Sequence, residues 1–161
     1  MNDDLILKKF ISQFDIGIDL NNLKIISIGK NYYYAEEYLS EISMRIKRDV
    51  FGLGLFLGSK EGKIFRPSPA FIDILSKMQG SEKKKIFVNE QGERLFLYGK
   101  NILMESIIVN NNLDKGYVFV QNKNDENLGY GVFQQQGKDL IVKNLLDKGY
   151  YLRKEVKKKK L

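Results

Sequence analysis

Residues 4–78 alternate between two hydrophobic periods, and that alternation restricts the fold more than any other feature of the chain. Leu7, Phe10, Ile11 and Phe14 recur at the i, i+3, i+4, i+7 spacing of a helix with one buried face. Residues 24–28 (KIISI) and 32–34 (YYY) are β-branched and aromatic, and Gly29, Lys30 and Asn31 between them fit the short turn of a hairpin. Helical spacing returns at Ala35, Tyr38, Leu39, Ile42 and Ile46. A second strand pair is read at residues 51–57 and 64–65, around the turn GSKEGK. Ser68 and Pro69 then supply an N-cap and a first-turn proline for a helix carrying Phe71, Ile74, Leu75 and Met78. Connections this short cannot carry parallel crossovers, so the pattern predicts an α+β arrangement, helices packed on a mainly antiparallel sheet.

From residue 85 the pattern changes. IFV (86–88), LFLY (95–98), GYVFV (116–120) and GYGVF (129–133) read as short strands, residues 101–106 as one brief helix, and residues 140–142 as a further strand. Such spacing predicts a small closed or nearly closed β-barrel. The polar segment 79–85 (QGSEKKK) marks a junction near Ser81. The organisation is therefore read as an N-terminal α/β domain over 1–80, a barrel over 81–156 and a basic tail over 157–161.

Composition narrows the chemistry. The chain has no His, Cys or Trp, which removes the imidazole base, thiol nucleophiles, disulfides and the usual zinc ligand sets. Asp15, Asp19 and Asp73 are available as acids, but none sits in a recognisable catalytic context, and no catalytic residue, metal or cofactor is assigned. Gly52, Gly54 and Gly58 do not match a dinucleotide fingerprint, since Leu57 stands where a glycine is required; they are read as strand and turn residues that allow close backbone packing. Tyr32, Tyr33 and Tyr34 offer aromatic faces to bases, but alternation along a strand must bury part of the triplet. The longest apolar stretch, residues 50–57, is far shorter than the roughly 20 residues of a membrane-spanning helix. The N-terminus opens with acids, without a basic leader. A soluble, cytoplasmic, monomeric protein is expected.

Charge is unevenly placed. Residues 1–80 carry 11 Lys and Arg against 10 Asp and Glu, whereas residues 81–161 carry 16 against 10. Six cations lie within residues 153–160 (RKEVKKKK). Cations that neutralise phosphates release condensed counterions, so such a cluster beside a barrel points to RNA. The candidate RNA-binding residues are Arg153, Lys154, Lys157, Lys158 and Lys160, all at a terminus expected to be exposed, with Lys100 at the edge of the brief helix. For Lys100, and for Lys83, Lys84 and Lys85, a solvated role weighs equally with RNA contact.

Three stretches, FLYG-x-NIL (96–103), LGYGV (128–132) and DKGYYLR (147–153), resemble the Nip-seven family of large ribosomal subunit biogenesis factors, whose C-terminal half is a PUA domain. NYYYAEEYL, GLGLFLG and IFRPSPA in the first half are similar to the family's N-terminal domain. The compact size and the Lys, Ile and Asn usage fit an archaeal member. The resemblance implies a non-catalytic RNA-binding factor in pre-rRNA processing. Its PUA barrel would meet ribosomal RNA or its precursor, and its first domain would meet ribosome assembly proteins. The competing expectation is an accessory subunit that delivers an RNA-modifying enzyme, such as an rRNA methyltransferase, to its substrate. The chain departs from many PUA domains in having Glu105, Ser106 and Ile107 where a glycine follows the short helix, which directs attention to the C-terminal cations.

Overall fold

In the computed structural model, which describes residues 4–17, 24–46, 49–110, 114–150 and 153–155, the first helix lies where the apolar stripe puts it. Helix α1 (Asp4–Ile11) runs into a 3-10 turn at Ser12–Phe14, and all four stripe residues are buried. Strands β1 (Ile25–Ile28) and β2 (Asn31–Tyr34) pair antiparallel. They turn at Gly29, whose φ of +59° suits a residue without Cβ. Tyr32 and Tyr33, adjacent and so on opposite faces of the strand, are both buried, Tyr33 with its hydroxyl donating to the Phe51 carbonyl, and Tyr34 is partly exposed, so the triplet is mostly core and offers no continuous stacking platform.

Helix α2 (Glu37–Arg45) has the expected helical spacing but buries no side chain; Tyr38 and Ile42 face solvent. Strands β3 (Leu55–Glu61) and β4 (Ile64–Pro67) complete a four-stranded antiparallel sheet in the order β1-β2-β3-β4. Strand β3 starts later than the apolar run implied, because Phe51 is exposed and Gly54 turns the chain at positive φ. At Gly58 a Cβ would meet the Arg66 carbonyl oxygen at 2.3 Å, which bears out the reading of these glycines as close-packing residues. Ser68 caps helix α3 (Pro69–Ser76), its hydroxyl oxygen accepting from the Phe71 amide at 3.1 Å.

The second sheet comprises β5 (Lys85–Val88), β6 (Ile102–Leu103), β7 (Ile107–Asn110), β8 (Gly116–Gln121), β9 (Asn127–Gln136) and β10 (Asp139–Asp147). Its order is β6-β10-β9-β8-β5-β7, antiparallel throughout except for the parallel pair β5–β8. The fold is α+β, helices with an antiparallel sheet followed by a nearly closed, barrel-like sheet. A 3-10 turn at Ser81–Lys84 links the last helix of the first half to β5.

Two expectations in this half are corrected. Residues 95–98 are not a strand: helix α4 (Glu90–Leu97) covers that stretch, capped by Asn89, whose side-chain oxygen accepts from the Gly92 amide at 2.9 Å. Four consecutive apolar residues imitate a strand, but the cap, the acids Glu90 and Glu93 in the first turn and Gly99 past the end are helix signals. Residues 101–106 are likewise not a helix. They form β6, paired with β10, and then a 3-10 turn at Met104–Ser106. The glycine that follows the helix is consequently Gly99, at φ +77°, so the supposed departure at Glu105 dissolves with the corrected helix position.

Alternation along β8 joins the halves. Val118 and Val120 point into the barrel core with Ile86, Val88, Phe96, Ile102, Phe133 and Val142. Phe119 and, on β9, Tyr130 point the other way, into a core shared with Leu7, Phe10, Phe14, Tyr32, Leu57, Phe65, Phe71 and Leu75. The Phe14 and Phe119 rings stack with centroids 4.4 Å apart and planes at 8°.

Candidate nucleic-acid interface

The three motif stretches of the second half converge on one ion pair. Asp147, at the end of β10, is 3% exposed, and its carboxylate takes both guanidinium arms of Arg153 at 2.8 Å each. A planar fork matched to a carboxylate is the strong geometry for such a pair. The same guanidinium donates to the Leu97 carbonyl oxygen at the end of α4, one of the acceptors a helix C-terminus leaves unpaired. The hydrogen bonds that Arg153 donates to Asp147 raise the Arg153 pKa above its ordinary value despite partial burial. Gly149 lies under this clamp, where a Cβ would sit 2.1 Å from the Leu97 oxygen. Asn101 accepts from the Asn144 amide, and the Asn144 side chain donates to the Phe96 carbonyl at 2.7 Å. On β9 a Cβ at Gly129 would meet the Leu146 oxygen at 2.0 Å. These motif residues therefore hold α4 onto β9 and β10.

Arg153 is thus not the free terminal cation that its place in a basic run implied. Among the other candidates, Lys100 is exposed just past α4. Lys154 is exposed with its ammonium 4.6 Å from the Tyr150 ring centroid, a cation–π contact. Lys157, Lys158 and Lys160 lie outside the described residues. Lys85 is 7% exposed and bound to both oxygens of Asp125 at 2.9 and 3.0 Å. Lys84 pairs with Asp15 at 2.8 Å. Both belong to the fold, and part of the positive excess of this half is neutralised within it.

What surrounds the clamp is a cleft of about 430 Å³ lined by Arg94, Leu97, Tyr98, Lys148, Gly149 and Arg153. Sequence reasoning missed Arg94, Tyr98 and Lys148 as site residues. Arg94 and Tyr98 are one helical turn apart on α4, and Tyr98 is 70% exposed, an aromatic face beside cations. With α4 misread as a strand, that i, i+4 pairing was hidden. Lys148 pairs with Asp73 of α3 at 3.1 Å, and Lys77 pairs with the same carboxylate at 2.7 Å. Burial alone would raise the Asp73 pKa, but hydrogen bonds from Lys77 and Lys148 hold it below the ordinary value. The surface of the cleft is mainly apolar, with the Tyr98 ring on it and the Arg94 and Lys148 side chains contributing to its walls, and Lys100 and Lys154 are exposed elsewhere in this half.

Comparison with known proteins agrees with this architecture. Residues 84–156 match the family described as the UPF0113 PUA domain. The chain is similar to a UPF0113 protein of Archaeoglobus fulgidus, 28% identical over 81% of this chain and 90% of that one. A UPF0113 protein of Aeropyrum pernix is 36% identical over 65% of this chain and 58% of its own length. Among solved structures, a conserved PUA domain protein from Thermoplasma acidophilum superposes with a TM-score of 0.52 at 13% identity. That likeness covers 90% of this chain and 91% of the other, and it concerns the fold. Helix α4, the second sheet and the Asp147–Arg153 clamp therefore lie within residues 84–156, the stretch of the chain that matches the UPF0113 PUA domain.

Proposed function

We propose that this protein is a non-catalytic RNA-binding factor acting in large ribosomal subunit assembly and pre-rRNA processing. The observation that carries the reading is the match to a PUA domain, with an apolar, aromatic cleft at the end of α4 that has Arg94 and Lys148 in its walls. PUA domains are RNA-binding modules. In this one Arg94, Lys148, Lys100 and Lys154 meet the phosphate backbone and Tyr98 packs against a base or ribose, with contact chiefly to shape and backbone. The basic residues 157–160 extend the same electrostatic surface in sequence. The placement in large-subunit assembly comes from the resemblance of FLYG-x-NIL, LGYGV and DKGYYLR to the Nip-seven family. Helix α2, with no buried side chain and with Tyr38 and Ile42 exposed, supports a protein-binding role for the first half.

The test is competition. Binding of a large-subunit rRNA fragment containing a helical junction is measured by fluorescence anisotropy against a simple RNA duplex and against heparin, a polyanion of different shape. The proposal expects the junction fragment to be preferred over both. Equal displacement by heparin would reduce the surface to unspecific charge. If RNA binds only after a modifying enzyme is added, and that enzyme gains activity, the accessory-subunit reading replaces this one.

A further inference from the structure

A second concavity, outside the cleft just described, lies where β3 and β4 of the first sheet approach β10 and the C-terminal turn. It has a volume of about 230 Å³, and its walls include Phe56, Arg66, Tyr130, Leu145, Tyr150 and Lys154. Phe56 comes from the first sheet and Tyr150 from the PUA domain, and both rings are partly exposed, at 37% and 38%. Leu145 faces this space because the β9–β10 register slips between Asn144 and Leu146, leaving it out of the ladder. Bulges of this kind re-aim a side chain beside binding sites.

The polar chemistry of the walls has one sign. Arg66 and Lys154 are cations, and no carboxylate among the described residues lines the space, although Arg66 also pairs with Glu61 outside it. Tyr130 is 7% exposed, its ring is packed against Phe10 and Phe14, and its hydroxyl has no hydrogen bond among the described residues. Burial, with the neighbouring Tyr117, pushes that hydroxyl above its ordinary pKa, so it stays protonated and able to donate. Tyr130 lines the groove, where its hydroxyl can donate to a ligand.

We infer that this groove holds one unpaired nucleotide of the bound RNA, its base between the Phe56 and Tyr150 rings and its phosphate facing Arg66 and Lys154, with Tyr130 donating to it. Two aromatic rings beside cations and a hydroxyl donor suit an anionic, planar ligand. The volume of about 230 Å³ takes a base, leaves its ribose and phosphate at the rim, and excludes a duplex. The inference rests on the RNA-binding reading and deepens it, extending recognition from the PUA domain onto the first half of the chain.

The experiment compares two RNAs, one duplex carrying a single bulged nucleotide and the same duplex fully paired, together with free adenosine monophosphate. They are titrated against the full chain and its Tyr130→Phe and Arg66→Gln variants. The full chain is expected to prefer the bulged RNA about tenfold. Arg66→Gln should remove most of that preference and Tyr130→Phe about threefold of it, while binding of the paired duplex changes little. Tyr130→Phe keeps the ring, and its melting temperature should match that of the parent, so a loss of preference is not a loss of fold. Equal affinity for the two RNAs, or a preference that survives both variants, overturns the groove and leaves the PUA reading standing. Adenosine monophosphate binding as tightly as the bulged RNA makes this a free-nucleotide site and overturns the inference as well. If neither RNA binds, both readings fall.

Discussion

Arg153 shows how far a residue's meaning can depend on its fold. In sequence it is the first cation of a basic run, but in space its guanidinium holds Asp147 and the end of α4 together. Nothing in a spacing of six residues signals this pair, because it needs β10 to end where Asp147 becomes buried and a chain turn through Gly149 to bring the arginine back. Arg153→Ala would strand a carboxylate that is 3% exposed, and the expected cost is about 3 kcal/mol in urea unfolding. Lys154→Ala, one residue on and exposed, should cost under about 0.5 kcal/mol. Similar losses for the two variants would contradict the assignment. Asp73 makes a pH-dependent counterpart. Its folded pKa lies below the ordinary 3.8 because Lys77 and Lys148 hold the carboxylate against partial burial. The stabilisation is therefore complete above that ordinary value and lost as pH falls through the lower folded one. Asp73→Asn should lower the melting temperature near neutrality and narrow its difference from the parent as the pH drops to about 3; a constant difference across that range would argue against the pairs.

The elements divide by how local their determinants are. Helices α1 and α3 were legible because stripe, cap and proline are local signals, and the hairpin of β1 and β2 because its turn glycine is one too. Helix α4 was misread because it has only one buried apolar side chain, Phe96, beside Gly92, too few for a periodic stripe to show against the run LFLY. Strands β6 and β7 are short, and their pairing with β10 and β5 is set by distant chain, which no local window contains. The site inherited these errors. With α4 taken as a strand, Arg94 and Tyr98 could not be placed on one face, and the cleft beside Gly149 stayed invisible, although the choice of the C-terminal turn as a basic surface did lead to its neighbourhood.

For the whole molecule, the shared core matters most. Seven side chains of the helices in the first half, Leu7, Phe10, Ile11, Phe14, Phe71, Ile72 and Leu75, pack into the cluster that also takes Phe119 and Tyr130 from the PUA domain. Residues 1–80 expressed alone lack those two rings and should show no cooperative thermal transition. In the full chain Phe14→Ala should cost about 3 to 5 kcal/mol while a single transition persists. A sharp, reversible melt of the 1–80 fragment would show that the shared core is dispensable.

The central claim is that cations at and beyond the C-terminal turn of the PUA domain bind RNA phosphates while Arg153 serves the fold. The direct measurement is the salt dependence of affinity for a structured rRNA fragment, compared between the full chain and a variant with Lys154, Lys157, Lys158 and Lys160 changed to Ala and Arg153 retained. The account predicts an unchanged melting temperature, weaker binding, and a log–log salt slope shallower by up to about four. An identical slope and affinity in the variant would contradict it.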